Sequence, residues 1–137
     1  MSKHVLVPVD GSEESWNAFQ HALEEHREDS LTVLHVINPM KGDYDTSDPE
    51  SGAVRRSKRI EQKVDERVEA SDHDRSRVDF VRREGRPVDE ILAQAGRDEI
   101  DQIVMGSRGR SGVKRLLLGS VAESVVRRAD VPVNIVR

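Results

Sequence analysis

The sequence predicts a single α/β domain built on a doubly wound, five-stranded parallel sheet. Three observations predict it. Short β-branched runs alternate with longer amphipathic stretches, as repeated βα units require. The second of these runs is apolar almost throughout, which suits a strand covered on both faces. Aromatic residues make up only 3% of the chain, so its core must be assembled from Val, Leu, Ile and Ala. A chain of 137 residues corresponds to one domain, residues 1–137, at roughly 100–200 residues per domain. It is long enough to bury a core without disulfides or metals.

The first strand reads Val5–Val9, and Asp10-Gly11-Ser12 turns the chain. Ser12 is placed to cap a helix, with Glu13 and Glu14 in the first turn, where the helix dipole favours anions. Trp16, Phe19, Ala22 and Leu23 form one face of that helix. The second strand, Leu31–Ile37, is apolar apart from Thr32 and His35 and reads as central. The segment Asn38–Gly52 is a long loop with Pro39, Gly42, Pro49 and several Asp, either a lid or a plain connection. A helix follows, with Ile60, Val64 and Val68 spaced four apart and a charged opposite face. The third strand, Arg77–Arg83, has mixed polarity and is expected at a sheet edge.

Pro87 suits the first turn of the next helix. Val88, Ile91, Leu92 and Ala95 recur at i, i+3, i+4 and i+7, and Gly96 is expected to end it. The fourth strand is Gln102–Met105. Val121, Ala122, Val125, Val126 and Ala129 are expected on one face of the last helix, before a fifth strand, Val131–Val136.

Composition narrows the function. There is no cysteine, which removes disulfides, thiolate chemistry and Cys-ligated zinc. The N-terminus runs directly into a strand-like stretch, and no apolar run approaches the ~20 residues of a membrane span. A soluble, cytoplasmic protein that contacts no membrane is expected. The net charge of −4 argues against general nucleic-acid binding. The basic run from Arg55 to Arg59 lies among Glu61, Asp65, Glu66 and Glu69 and reads as a solvated helix surface.

Ligands of open parallel sheets bind at the carboxyl ends of strands, where the strand order reverses. Two such ends carry chemistry, and if strands 1 and 4 are neighbours, with order 3-2-1-4-5, both meet at the switch point. The first strand ends in Pro8-Val9-Asp10-Gly11-Ser12, and the fourth leads into Met105-Gly106-Ser107-Arg108-Gly109. The fourth loop has the spacing Gly106-x2-Gly109-x9-Gly119-Ser120. Glycines let backbone N–H groups approach phosphate oxygens, and the helix opened by Gly119-Ser120 offers unpaired N–H groups and a favourable dipole. Arg108, Arg110, Lys114 and Arg115 add positive charge. The same loop is also readable as a structural turn with solvated cations. Asp10 could accept hydrogen bonds from a sugar or base, or brace its own turn. Ser12 reads as a cap, and His35 as a packed core histidine. The other histidines have no metal-ligand spacing, so no metal ligands are assigned.

The ordered set of motifs resembles the universal stress protein family. Its members are Val7-Pro8-Val9-Asp10-Gly11-Ser12, Leu34-His35-Val36-Ile37, Gly85-Arg86-Pro87, Leu116-Leu117-Leu118-Gly119-Ser120-Val121 and Val131-Pro132-Val133. The glycine spacing is similar to the nucleotide motif of the family's ATP-binding subset. The resemblance covers nearly the whole chain. It implies a Rossmann-like, adenine nucleotide alpha hydrolase-like fold and a site for ATP, or ADP or AMP. Under it, Pro8, Val9, Asp10 and Val36 surround base and ribose, and Met105 and Gly106 lie beside the ribose. Gly109, Gly119, Ser120 and Val121 hold the phosphates, with Mg or Mn on the phosphate oxygens where a metal is used. Ala122 departs from relatives that carry a hydroxyl there. The resemblance also implies a homodimer through the strand Val131–Val136.

These expectations converge on a nucleotide-dependent switch in stress response or signalling. No general base or nucleophile accompanies the phosphate loop, and Lys is missing at P-loop spacing. No catalytic residue is therefore assigned. Two alternatives remain open at this level, a nucleotide-free dimeric interaction module and a slow ATP hydrolase or autophosphorylating protein.

Overall fold

Strands and helices alternate through the computed structural model, which describes residues 2–39, 51–108 and 118–137. Strand β1 (His4–Pro8) leads to helix α1 (Glu13–Glu25) and β2 (Ser30–Ile37). Helix α2 (Gly52–Glu69) and a short 3-10 turn at Arg75–Arg77 precede β3 (Val78–Glu84). Then come α3 (Pro87–Arg97), β4 (Gln102–Gly106), α4 (Ser120–Arg128) and β5 (Val133–Val136). All strand pairs are parallel, as the alternation of runs predicts, and their order is β3-β2-β1-β4-β5, the expected one.

Successive side chains of a strand point to opposite faces, and here both faces are covered. On one, Val5, Val7, Leu31 and Val33 pack with Trp16, Phe19 and Leu23 of α1 and Ile60, Val64 and Val68 of α2. On the other, Leu6, Leu34, Ile103 and Met105 pack with Ile91 of α3 and with Ala122 and Val125 of α4. β2 is buried along almost its whole length, as its apolar sequence requires. β3, of mixed polarity, lies at the edge.

Local chemistry sets the helix starts. The Ser12 hydroxyl accepts the Ser15 N–H at 3.2 Å, and Ser51 accepts the Val54 N–H at 3.2 Å. Gly11, at φ +88°, makes the turn before the first cap. α3 begins at Pro87, which has no N–H to satisfy.

Three local expectations are corrected. Gly96 lies inside α3, which runs on to Arg97. The reversal belongs to Glu99, at φ 52°, and the Ile100 N–H reaches back to the Ala95 carbonyl at 3.1 Å. Strand β5 starts at Val133 rather than Val131, because Pro132 has no N–H for the ladder; its carbonyl still accepts the Ile103 N–H. Val126 falls outside the inner face of α4 and is 44% exposed, since Ala122 and Val125 carry that packing. The remaining strand and helix ends fall within a residue or two of the expected ones. The expected loop Asn38–Gly52 lies, for residues 40–50, outside the described residues.

Gly106 closes β4 against α1. A Cβ there would lie 2.8 Å from the Glu14 carbonyl carbon and 2.9 Å from the Ser15 nitrogen, both backbone atoms that cannot swing away. Gly106→Ala is expected to destabilise the fold by about 1–3 kcal/mol. An unchanged urea midpoint would contradict that packing.

The amino end of the sheet is tied by Asp29. Burial raises its pKa, but the Lys3 backbone N–H at 2.8 Å and the His26 ring at 2.8 Å outweigh that and leave it below the ordinary carboxylate value. A depressed folded-state pKa stabilises above the unfolded value of about 4 and is lost as pH falls through the folded one. The stability gap between wild type and Asp29→Asn should therefore be full at pH 6 and shrink as pH drops below about 4. Urea unfolding across that range measures it, and a pH-independent gap would count against the assignment.

Candidate functional site

The strand order reverses between β1 and β4, which pair directly through Val5 with Gln102 and Leu6 with Ile103. Their carboxyl ends therefore stand side by side with a crevice above them. A cavity of about 520 Å³ opens there, within the roughly 300–1,000 Å³ of small-molecule sites.

Pro8, Val9 and Asp10 line it from the end of β1, and Val36 from β2. Met105 and Gly106 line it from β4, and Ser120 and Val121 from the first turn of α4. Residues far apart in sequence are thus gathered at one place, as the sequence reading expected. Gly119 is not among the lining residues. It is buried, caps α4 through its backbone, and gives its N–H to the Ser107 carbonyl at 2.8 Å. That bond positions the start of α4 over the end of β4. Gly109 lies outside the described residues, as do Arg110, Lys114 and Arg115.

The walls differ in chemistry. Val9, Leu34, Val36, Ile91 and Met105 supply apolar lining. Asp10 is the acidic group of the lining. The Asp10 carboxylate accepts the Ser12 N–H at 3.0 Å and the Ser12 hydroxyl at 2.6 Å, so it braces its own turn as well as facing the cavity. Opposite, α4 starts without a side-chain cap. The N–H groups of its first turn and the positive end of its dipole meet the cavity at Ser120 and Val121.

Of the other wall residues, Arg108 reads from the sequence as positive charge near the loop, whereas Arg56, Pro87 and Ile91 are not legible there as wall residues. Arg56 of α2 lines the cavity and is half-buried, which corrects its reading as part of a solvated surface. Only the register of α2 on the sheet turns that position inward. Arg108 also lines the cavity, and its guanidinium pairs with Glu14 in the first turn of α1. The hydrogen bond from Arg108, with one from the residue's own backbone N–H, holds the Glu14 carboxyl below its usual range. Pro87 and Ile91 join the wall from α3. The amphipathic pattern identified Ile91 as apolar but did not place it beside a cavity.

His35 is 5% exposed, and its Nδ1 lies 2.8 Å from the Ser57 hydroxyl. Arg82 donates from Nε to the same hydroxyl at 2.6 Å and from Nη2 to Glu61 at 2.8 Å. His35 is therefore a packed, hydrogen-bonded residue, as expected of a polar group on a buried strand. Among the described residues, no group of three or more His, Asp or Glu could hold a metal ion. Among them too, no helix is long and apolar enough to cross a membrane.

Comparison with known proteins agrees with this arrangement. The model of the universal stress protein family matches residues 1–137. A universal stress protein of Thermus aquaticus is 33% identical over 141 residues, covering 100% of both chains. The solved universal stress protein UspA of Lactobacillus plantarum superposes with a TM-score of 0.82 at 26% identity, over 98% of this chain and 97% of that one. A universal stress protein solved in complex with cAMP superposes at 0.75 with 25% identity, over 98% and 97%. With a family model spanning its full length and a relative aligned end to end, the chain belongs to the universal stress protein family.

Proposed function

We propose that this protein binds an adenine nucleotide, ATP in the first instance, at the crevice above β1 and β4. Occupancy of that site would act as a switch in stress response or signalling. One observation carries the reading. A single cavity joins apolar lining, a carboxylate and an uncapped helix start, which are the three environments a nucleotide needs. In this reading the base would lie among Val9, Val36 and Met105, and Asp10 would accept from a ribose hydroxyl. Phosphates suit the first turn of α4 at Ser120 and Val121, preceded by Gly119. The glycine spacing through Gly109 supports the same reading, as does the relative solved with cAMP. Mg or Mn would ride on the phosphate oxygens, since the described residues offer no acidic cluster to hold it.

A second copy of the chain is the proposed protein partner. β5 ends the sheet order, so its outer backbone edge is available to pair with another strand.

Isothermal titration of the full chain tests the nucleotide reading. ATP should give a saturable heat, and Val36→Phe, which puts a ring into the cavity, should abolish it while far-UV dichroism stays unchanged. Absence of heat with ATP, ADP and AMP at high micromolar protein would overturn the reading and favour a nucleotide-free interaction module. Sedimentation equilibrium tests the partner, with twice the chain mass expected and a monomer at all concentrations counting against pairing through β5.

A further inference from the structure

The β4 loop carries Arg108 into the cavity wall, where it is already engaged by an anion of the protein itself. That anion is Glu14, whose backbone abuts Gly106 and whose neighbour Ser15 also lines the cavity. The two side chains are 31% and 16% exposed, so the pair is held but not sealed from solvent. A guanidinium recognises carboxylate and phosphate through the same fork of N–H donors. The Glu14 carboxylate draws on this fork through Nη2, and a phosphate chain in the cavity would draw on the same fork. The α4 start, which lines the same cavity, would hold such a chain within the same enclosure.

We propose that Arg108 discriminates polyphosphorylated from unphosphorylated ligands, and that Glu14 is the internal anion holding it until a ligand phosphate takes its place. The proposal rests on the nucleotide reading, which puts the phosphate chain at the α4 start. Arg108 is then a binding residue, and Glu14 a positioning residue that acts through it. Glu14 lowers affinity for the charged end of the ligand, because its contact with Arg108 must be exchanged. In return it keeps the guanidinium at the wall. The basic character of the loop, which by sequence reads equally as a solvated surface, acquires a specific use at Arg108.

The experiment titrates ATP, adenosine and inorganic tripolyphosphate into the full chain. It compares wild type with Glu14→Gln, Arg108→Ala, the double variant and Glu13→Gln, and circular dichroism checks that each is folded. If Arg108→Ala fails to fold, Arg108→Gln replaces it. Glu14→Gln should tighten ATP and tripolyphosphate about three- to tenfold, and Arg108→Ala should weaken both about tenfold. Neither should move adenosine. In the Arg108→Ala background, Glu14→Gln should change nothing, since the two act through one contact. Glu13, exposed on the same turn, controls for general charge, and its variant should leave the ATP-to-adenosine ratio unchanged.

The proposal is overturned if Glu13→Gln matches Glu14→Gln. It is equally overturned if Glu14→Gln acts the same with and without Arg108, or if Arg108→Ala weakens adenosine as much as ATP. ATP binding that ignores both variants would sink the exchange and leave the nucleotide reading intact. Tripolyphosphate binding that follows the expected pattern, with no binding of adenosine and no advantage for ATP, would support the exchange and sink the nucleotide reading. Silence from all three ligands would remove both.

Discussion

At Gly106 the end of β4 comes as close to the first turn of α1 as a backbone can, and the rest of the carboxyl end is arranged around that approach. No side chain fits between them, because the site of a Cβ is already bordered by the backbone of Glu14 and Ser15. The same turn supports the other loop of the crevice. Ser15 donates to the Ser12 carbonyl at 2.9 Å and stands within 3.4 Å of the Asp10 N–H. Glu14 holds Arg108. The first turn of α1 is thus the abutment shared by both loops that line the cavity. Its rigidity comes from capping by Ser12 and from Trp16 and Phe19, which bury the following turn in the core.

The two ends of the sheet divide the polar work. At the amino end, histidines tie loops to strands. His4 reaches Thr32 at 2.7 Å and the Asp98 carbonyl at 3.0 Å, and His73 reaches the His26 carbonyl at 2.9 Å. These bonds join segments distant in sequence and satisfy groups that burial would otherwise leave costly. At the carboxyl end the polar groups face a cavity instead. α1 and α2 start with serine caps, whereas α3 opens at Pro87 and α4 follows Gly119, neither with a side-chain cap. The starts that lack side-chain caps both reach the cavity, through Pro87 and Ser120.

Some residues announced their roles in one dimension because the governing physics is local or periodic. Ser12 reads as a cap from its two following glutamates. Ile60, Val64 and Val68 read as a buried stripe from their spacing, and β2 reads as central from its unbroken apolar run. The ends of β1 and β4 read as chemically loaded, and a parallel sheet of this order brings them together. Gly96 misled because a glycine is only one way to reverse a chain, and Glu99 makes the turn instead. Gly106 was noted for its freedom to let phosphate approach, yet its clearest constraint is a helix pressed against it.

By itself, then, the sequence determined the fold class, the two-sided core and the chemistry carried at the ends of β1 and β4; the adjacency of those ends was a condition that the sheet order met. The fold class, the core and the end chemistry each follow from hydrophobic periodicity, turn chemistry or the motif order, all of which are written in neighbouring residues. Only the tertiary structure decided which charged side chains enter that crevice. Arg56 turns inward because of how α2 lies on the sheet, and Arg108 is held because Glu14, almost a hundred positions away in sequence, is placed beside it. Charge carries no period that reveals its partner. An arginine on a solvated face and an arginine on a cavity wall look alike until packing brings the opposite charge within reach.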